Sequence, residues 1–157
     1  MSPLPEDKRA EFDSIALFSY DPALNFEVST EPLTGPERKV NIGGDGILQM
    51  RPIARTNGLL EPIGAELTIF WIGGYGGGLF LPFRDQSSGT QTYGGGRYLL
   101  DAIKGADLGQ TNDGRLILDF NFAYNPSCSM NPDYVCPLAP TENQLPCFVP
   151  GGEMAPN

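Results

Sequence analysis

An all-β fold is predicted, an antiparallel β-barrel or barrel-like sandwich of about eight short strands with little helix. Three observations predict it. Short segments rich in β-branched and aromatic residues recur with turn signals about every ten or twelve residues. No segment carries an apolar helical stripe longer than about two turns. Glycine (20) and proline (15) together exceed a fifth of the 157 residues, against a usual share of about 12%, which disfavours long helices. The length fits a single domain, residues 1–157, able to bury roughly two thirds of the surface its unfolded chain exposes.

In chain order, residues 1–13 read as a lead with one helical turn over 6–12. Residues 14–20 (SIALFSY) have strand composition and end at Asp21-Pro22. In residues 24–29, Leu24, Phe26 and Val28 alternate with Asn25, Glu27 and Ser29, giving one dry and one wet face. Residues 39–42, 47–54 and 65–72 are further strands, parted by Gly43-Gly44-Asp45-Gly46 and Asn57-Gly58. Pro52 places the second of these at an edge or a bulge, since proline cannot donate to a ladder. The third, AELTIFWI, is apolar on both faces at its end and reads as a central strand. A hairpin follows, with strands at 79–84 and 91–99 around Ser87-Ser88-Gly89. Residues 101–114 are a polar connection into a strand at 116–123, a proline-rich loop spans 124–146, and the tail 151–157 is expected to fray.

Tyr75-Gly-Gly-Gly78 and Tyr93-Gly-Gly-Gly96 echo one another 18 residues apart. Neither matches the phosphate-binding G-x-x-x-x-G-K-[ST] pattern, and glycines flanked by aromatics mark strand bends or close backbone approach in a curled sheet.

The charge is -9, from 19 acidic and 10 basic residues, only three of them Lys. Nucleic acids and anionic membranes need a basic surface, so both are excluded as expected partners. The acid excess suits ordinary solubility or a high-salt cytoplasm. The chain contains no His, which removes Ser-His-Asp triads, Cys-His pairs and zinc sites with His ligands. Neither a signal peptide nor a membrane span is legible, so a cytoplasmic location is expected, consistent with the odd cysteine count. No metal and no cofactor are expected.

The strand 116–123 is expected to bury Leu116, Leu118, Phe120 and Phe122. Its other face sets Asp119 and Asn121 about 7 Å apart, which would line a pocket mouth if the sheet curls into a barrel. Tyr124-Asn125-Pro126 then begins the loop, and the repeated Asn-Pro pairs fold it back over the end of its own strand. Cys128 and Cys136 stand too far apart for a CxxC redox pair and have no second pair for zinc. They read as buried thiols or as a loop-closing disulfide. Cys147 reads as ordinary core. Arg97, beside Tyr93 at the second glycine triplet, would meet an anionic ligand group.

The runs GYGGGLFLPFRD, TYGGGRYLLD, KGADLG, LDFNFAYNPSC and CPLAPTENQLP resemble the prokaryotic family known as domain of unknown function 1684, over residues 71–152. The resemblance implies a signature surface of Tyr93, Arg97, Asp119, Asn121, Tyr124, Asn125, Cys128, Cys136, Glu142 and Asn143, and no established reaction. Met130 stands where a more polar or aromatic residue is expected, and Cys147 replaces an aliphatic position.

The leading functional expectation is a barrel that binds a small molecule near the Asp119–Asn121 strand, with residues 124–146 as its cover. Tyr93, Arg97, Asp119, Asn121, Tyr124, Asn125, Glu142 and Asn143 would be the ligand contacts. One rival is an enzyme using Asp119 or Glu142 as general base, or Cys128 as nucleophile. Another is a protein-interaction scaffold around Leu138 and Leu145. Assembly into a homo-oligomer is compatible with all three.

Overall fold

A computed structural model of the chain describes residues 2–43, 46–73 and 77–156. Seven strands form one antiparallel sheet: β1 (Asn25–Pro32), β2 (Arg38–Asn41), β3 (Ile47–Asn57), β4 (Thr68–Ile72), β5 (Gly78–Phe83), β6 (Arg97–Asp101) and β7 (Leu116–Asp119). The order is β6-β5-β4-β3-β1-β7, with β2 also on β3. The two ends of this order meet. Tyr98 of β6 donates to the Tyr124 carbonyl at 2.9 Å and accepts its N–H at 3.0 Å, just beyond β7. The sheet is therefore a nearly closed barrel, as predicted, with two short α-helices among the described residues, α1 (Glu6–Arg9) and α2 (Leu60–Ile63).

Alternation in β1 puts Phe26 and Val28 opposite Leu118 and Leu116 of β7. The wet face carries Glu27, which pairs with Arg115 at 3.0 Å. Pro52 sits in β3 beside a register shift at Ala54, so the missing donor falls at a bulge inside the sheet. β4 is central, between β3 and β5, as its two-sided apolar pattern predicts. Its two faces feed two separate cores. Ile69 joins Leu81, Phe83, Leu100, Leu118 and Phe120 in the larger one. Phe70 and Ile72 join Leu48, Met50, Phe80 and Tyr98 in the smaller one.

Four expectations change. Residues 14–20 make only a single bridge, Leu17 to Glu153, because the chain there runs against the C-terminal tail instead of entering the sheet. β6 begins at Arg97, not at residue 91, because 84–96 fold into successive turns. Gly96 has φ of +96°, and a Cβ there would stand 2.5 Å from the Phe83 carbonyl oxygen, so the second glycine triplet is a close backbone approach. The first triplet and the Gly44-Asp45 turn lie largely outside the described residues.

β7 stops at Asp119, four residues short of the expected end. The Asp119 carboxylate accepts the Asn121 N–H at 2.9 Å and turns the chain into a 3-10 turn at Phe120–Phe122. That breaks the alternation, and Phe122 is 60% exposed instead of buried.

Where a fraying tail is expected, residues 153–155 are hydrogen-bonded to the rest of the chain. Glu153 N–H donates to Ala123 (2.8 Å), Met154 to Ala16 (2.8 Å) and Ala155 to Gln91 (2.9 Å). Gly152 permits this, with φ of +76° and only 2.3 Å between a notional Cβ and the Ala123 carbonyl oxygen. A polar, glycine-rich terminus carries no apolar signal for such docking, so the sequence pattern is silent about it.

Candidate functional site

The 124–146 loop lies against one face of the sheet, and under its 127–137 part is a cavity of about 490 Å³. Small-molecule sites commonly span roughly 300–1,000 Å³. The floor is apolar because it is the second core left partly uncovered: Leu48 of β3, Ile72 of β4, Phe80 of β5 and Tyr98 of β6. Ile42, after β2, closes one side, and Tyr134 and Val135 of the loop form the cover. The Tyr98 hydroxyl donates to the Pro137 carbonyl at 2.6 Å and ties that cover to β6. Burial, then the neighbouring Cys136 and Cys128, push the Tyr98 pKa far up, so this tether stays protonated.

The polar groups of the cavity are few. Asp101 ends β6 and is 5% exposed. It accepts the Lys104 N–H at 3.3 Å, starting the 3-10 turn Ala102–Lys104. No cation forms a salt bridge with it among the described residues. The Tyr124 hydroxyl is buried and stands against the Asp101 carboxylate at the margin of hydrogen-bond geometry. Burial first and the Asp101 charge second raise its pKa. Lys104 and Asp133 stand at the rim, both exposed.

The three cysteines are free thiols. Tyr93 Oη and Cys128 Sγ are 3.5 Å apart. Contact with Cys128, then burial and the charges of both loop cysteines, push Tyr93 up to about 12. Cys136 lines the cavity beside Cys128, and burial is the first cause of its raised pKa. A raised pKa leaves less thiolate near neutral pH, the opposite of what an activated nucleophile needs. Cys147 donates from Sγ to the Ile63 carbonyl at 3.2 Å, packed against the larger core.

The other residues singled out in the sequence do not reach this cavity. Asn121 Nδ2 donates to Asp119 Oδ1 (2.7 Å) and to the Asp21 carbonyl (2.8 Å), and its Oδ1 accepts the Asp21 N–H (2.9 Å). The pair is a knot that fastens the end of β7 to the segment before β1. Asp119 is 3% exposed, and its Oδ1 accepts both the N–H and the Nδ2 of Asn121.

Arg97, 1% exposed, donates to the carbonyls of Gly151, Glu153 and Val149 and stands 3.8 Å from Asp85. It holds the tail and faces Asp85, and it does not line the cavity. Asn125 does the same from the loop side, with its N–H on Glu153 (2.7 Å) and Nδ2 on Met154 (2.8 Å). Asn143, fully buried, accepts from Thr68 N–H (2.8 Å) and donates to the carbonyls of Thr68 (2.8 Å) and Pro82 (2.9 Å). It thereby bridges β4 and β5.

Glu142 is ion-paired with Arg38, whose guanidinium covers the Phe70 ring. That bond is the first cause of a lowered Glu142 pKa, which makes it a weak base. These side chains share a cause: each satisfies backbone or charge where the chain is irregular.

Sequence reasoning missed Asp101, Tyr98 and Lys104. The legible signal was a carboxylate closing the apolar strand RYLLD, which was read instead as the start of a polar connection.

The fold is similar to that of an uncharacterized protein of Haloarcula marismortui solved by solution NMR. The two are 29% identical, with a TM-score of 0.66, over 98% of this chain and 82% of that one. No curated protein matches the sequence. Among the described residues no helix is long and apolar enough to cross a membrane, and no group of His, Cys, Asp and Glu side chains could hold a metal ion. The model of the family described as "Protein of unknown function (DUF1684)" matches residues 10–154, a longer span than the 71–152 motifs that carry the resemblance, and the chain belongs to that family.

Proposed function

We propose that the protein binds a small, largely apolar molecule in the cavity between the β3–β6 face and the 127–137 loop. One observation carries this reading: the loop is tied to β6 at Tyr98 and Pro137, yet about 490 Å³ beneath it is left unfilled. Protein interiors are packed to near-crystalline density, so a space of that size under a braced cover is what a ligand pocket requires. The site therefore differs in place from the sequence expectation. It uses the loop as its cover but takes its walls from β3 to β6 and not from Asp119, Asn121 or Arg97.

An NMR screen of small aromatic and aliphatic fragments against the 15N-labelled protein tests the reading. Amide shifts should concentrate at Phe80, Tyr98, Asp101 and Val135. Hits scattered over the surface, or none, would sink it.

A further inference from the structure

Resting on that cavity as a binding site, we infer that its ligands carry a cationic amine on an aromatic or aliphatic body, with the ammonium group received by Asp101. The floor and cover would take the body. The question is which headgroup the polar end of the cavity selects.

The end is built around a carboxylate that the fold has buried to 5% exposure without providing a salt-bridge partner among the described residues. Desolvating a carboxylate is costly unless a charge or strong donors compensate it, and among the described residues the chain supplies the Lys104 N–H at 3.3 Å and the neighbouring Tyr124 hydroxyl, both neutral donors. An incoming N⁺–H donor would add what is missing, and charge-assisted bonds of this kind are the strong ones.

Aromatic faces reinforce the choice. Phe80, Tyr98 and Tyr134 line the same cavity, and a cation over such faces is attracted by the ring quadrupole. The potential has the matching sign. The Asp101 charge figures among the causes that raise the pKa of both Tyr98 and Tyr124, meaning that negative charge is disfavoured around it. An anionic headgroup would meet the same penalty. Lys104 at the rim is exposed, and its charge works against a cation, which makes it a second handle for the test.

Three probes share one body and differ in headgroup: 4-phenylbutylamine, 4-phenylbutanol and 4-phenylbutanoate. Their dissociation constants are read from NMR titrations of the cavity amides at neutral pH. The amine should bind at least about ten-fold tighter than the alcohol, and the carboxylate most weakly. Asp101→Asn keeps an acceptor for the Lys104 N–H, and the alcohol's unchanged affinity checks that its cavity is intact. In that variant the amine should fall to within about two-fold of the alcohol. Lys104→Gln should tighten the amine alone.

Equal binding of amine and alcohol, or preference for the carboxylate, would overturn the amine assignment while leaving the cavity a binding site. If no probe moves the cavity amides, the pocket reading itself fails and the assignment falls with it.

Discussion

The Asp119–Asn121 knot and the Arg97 tail clamp on one side, and the polar end of the cavity at Asp101 on the other, are built from buried or part-buried charged or amide side chains, but they are satisfied differently. In the first group most of the bonding capacity is taken up by the chain, with Arg97 Nε left over. Asn121 makes three hydrogen bonds with Asp119 and Asp21, and Arg97 reaches three tail carbonyls. At the cavity, Asp101 has one backbone donor, a marginal contact with the Tyr124 hydroxyl and no salt bridge among the described residues. Buried polar groups are nearly always paired, so a cluster whose bonds run mostly to its own chain explains itself as architecture. Incomplete answers mark where an outside molecule can contribute. Density of unusual residues is therefore a poor guide to a binding site, and spare bonding capacity beside a void is a better one.

The largest way to break this contrast is Arg97→Met. It removes the donors for three tail carbonyls and leaves the buried Asp85 without its cation, 3.8 Å away. A loss of about 3–5 kcal/mol in urea unfolding is expected, with the tail amides of 153–155 losing hydrogen-exchange protection. Retention of stability would show that Arg97 is not holding the tail.

A smaller effect is expected at the knot. Asp119→Ala removes the acceptor that turns β7 into its 3-10 turn, and should cost about 1–2 kcal/mol. Fragment affinity at the cavity should stay as it was. A weakened fragment would return Asp119 to the ligand site and erase the distinction drawn between the two regions.

The smallest effect is a pH dependence at a third answered cluster. Glu66 accepts from the Thr56 hydroxyl at 2.6 Å and from the N–H groups of Gly58, Leu59 and Leu60 at 2.8–2.9 Å, capping α2. Burial acts to raise its pKa, but these donors outweigh burial and leave it lowered. A carboxylate with a lowered folded-state pKa stabilises the fold above its unfolded-state pKa, and that contribution is lost as pH falls through the folded value. Glu66→Gln should be less stable than the parent at neutral pH, and the gap in urea midpoint should narrow on acidification. Glu153 runs the other way: burial raises its pKa, so its ionisation costs stability as pH rises through the folded value. A gap for Glu66→Gln that widens in acid would contradict the capping role.

Much of the sheet was legible because strand burial writes a period of two into the sequence. β3 shows it most clearly and β1 in part, whereas β4, β5 and β6 are buried on both faces and are legible as apolar runs, with β6 starting later than the pattern suggests. Pro52 was legible as a bulge because a missing N–H has few places to go. Little of the site was legible. Asp119 and Asn121 alternate correctly for a shared face, but a side chain that caps its own backbone ends the strand that the alternation assumes.

The sequence by itself determined the all-β class, the absence of imidazole chemistry and a proline-braced loop following the last strand. These follow from composition and local pattern, which act within a few residues. Which face the loop covers, that the tail docks under Arg97, and that Asp101 is left at the edge of a void were decided only by tertiary structure. Each depends on segments dozens of residues apart meeting in space, and a side chain's role is set by which partners that meeting leaves it without.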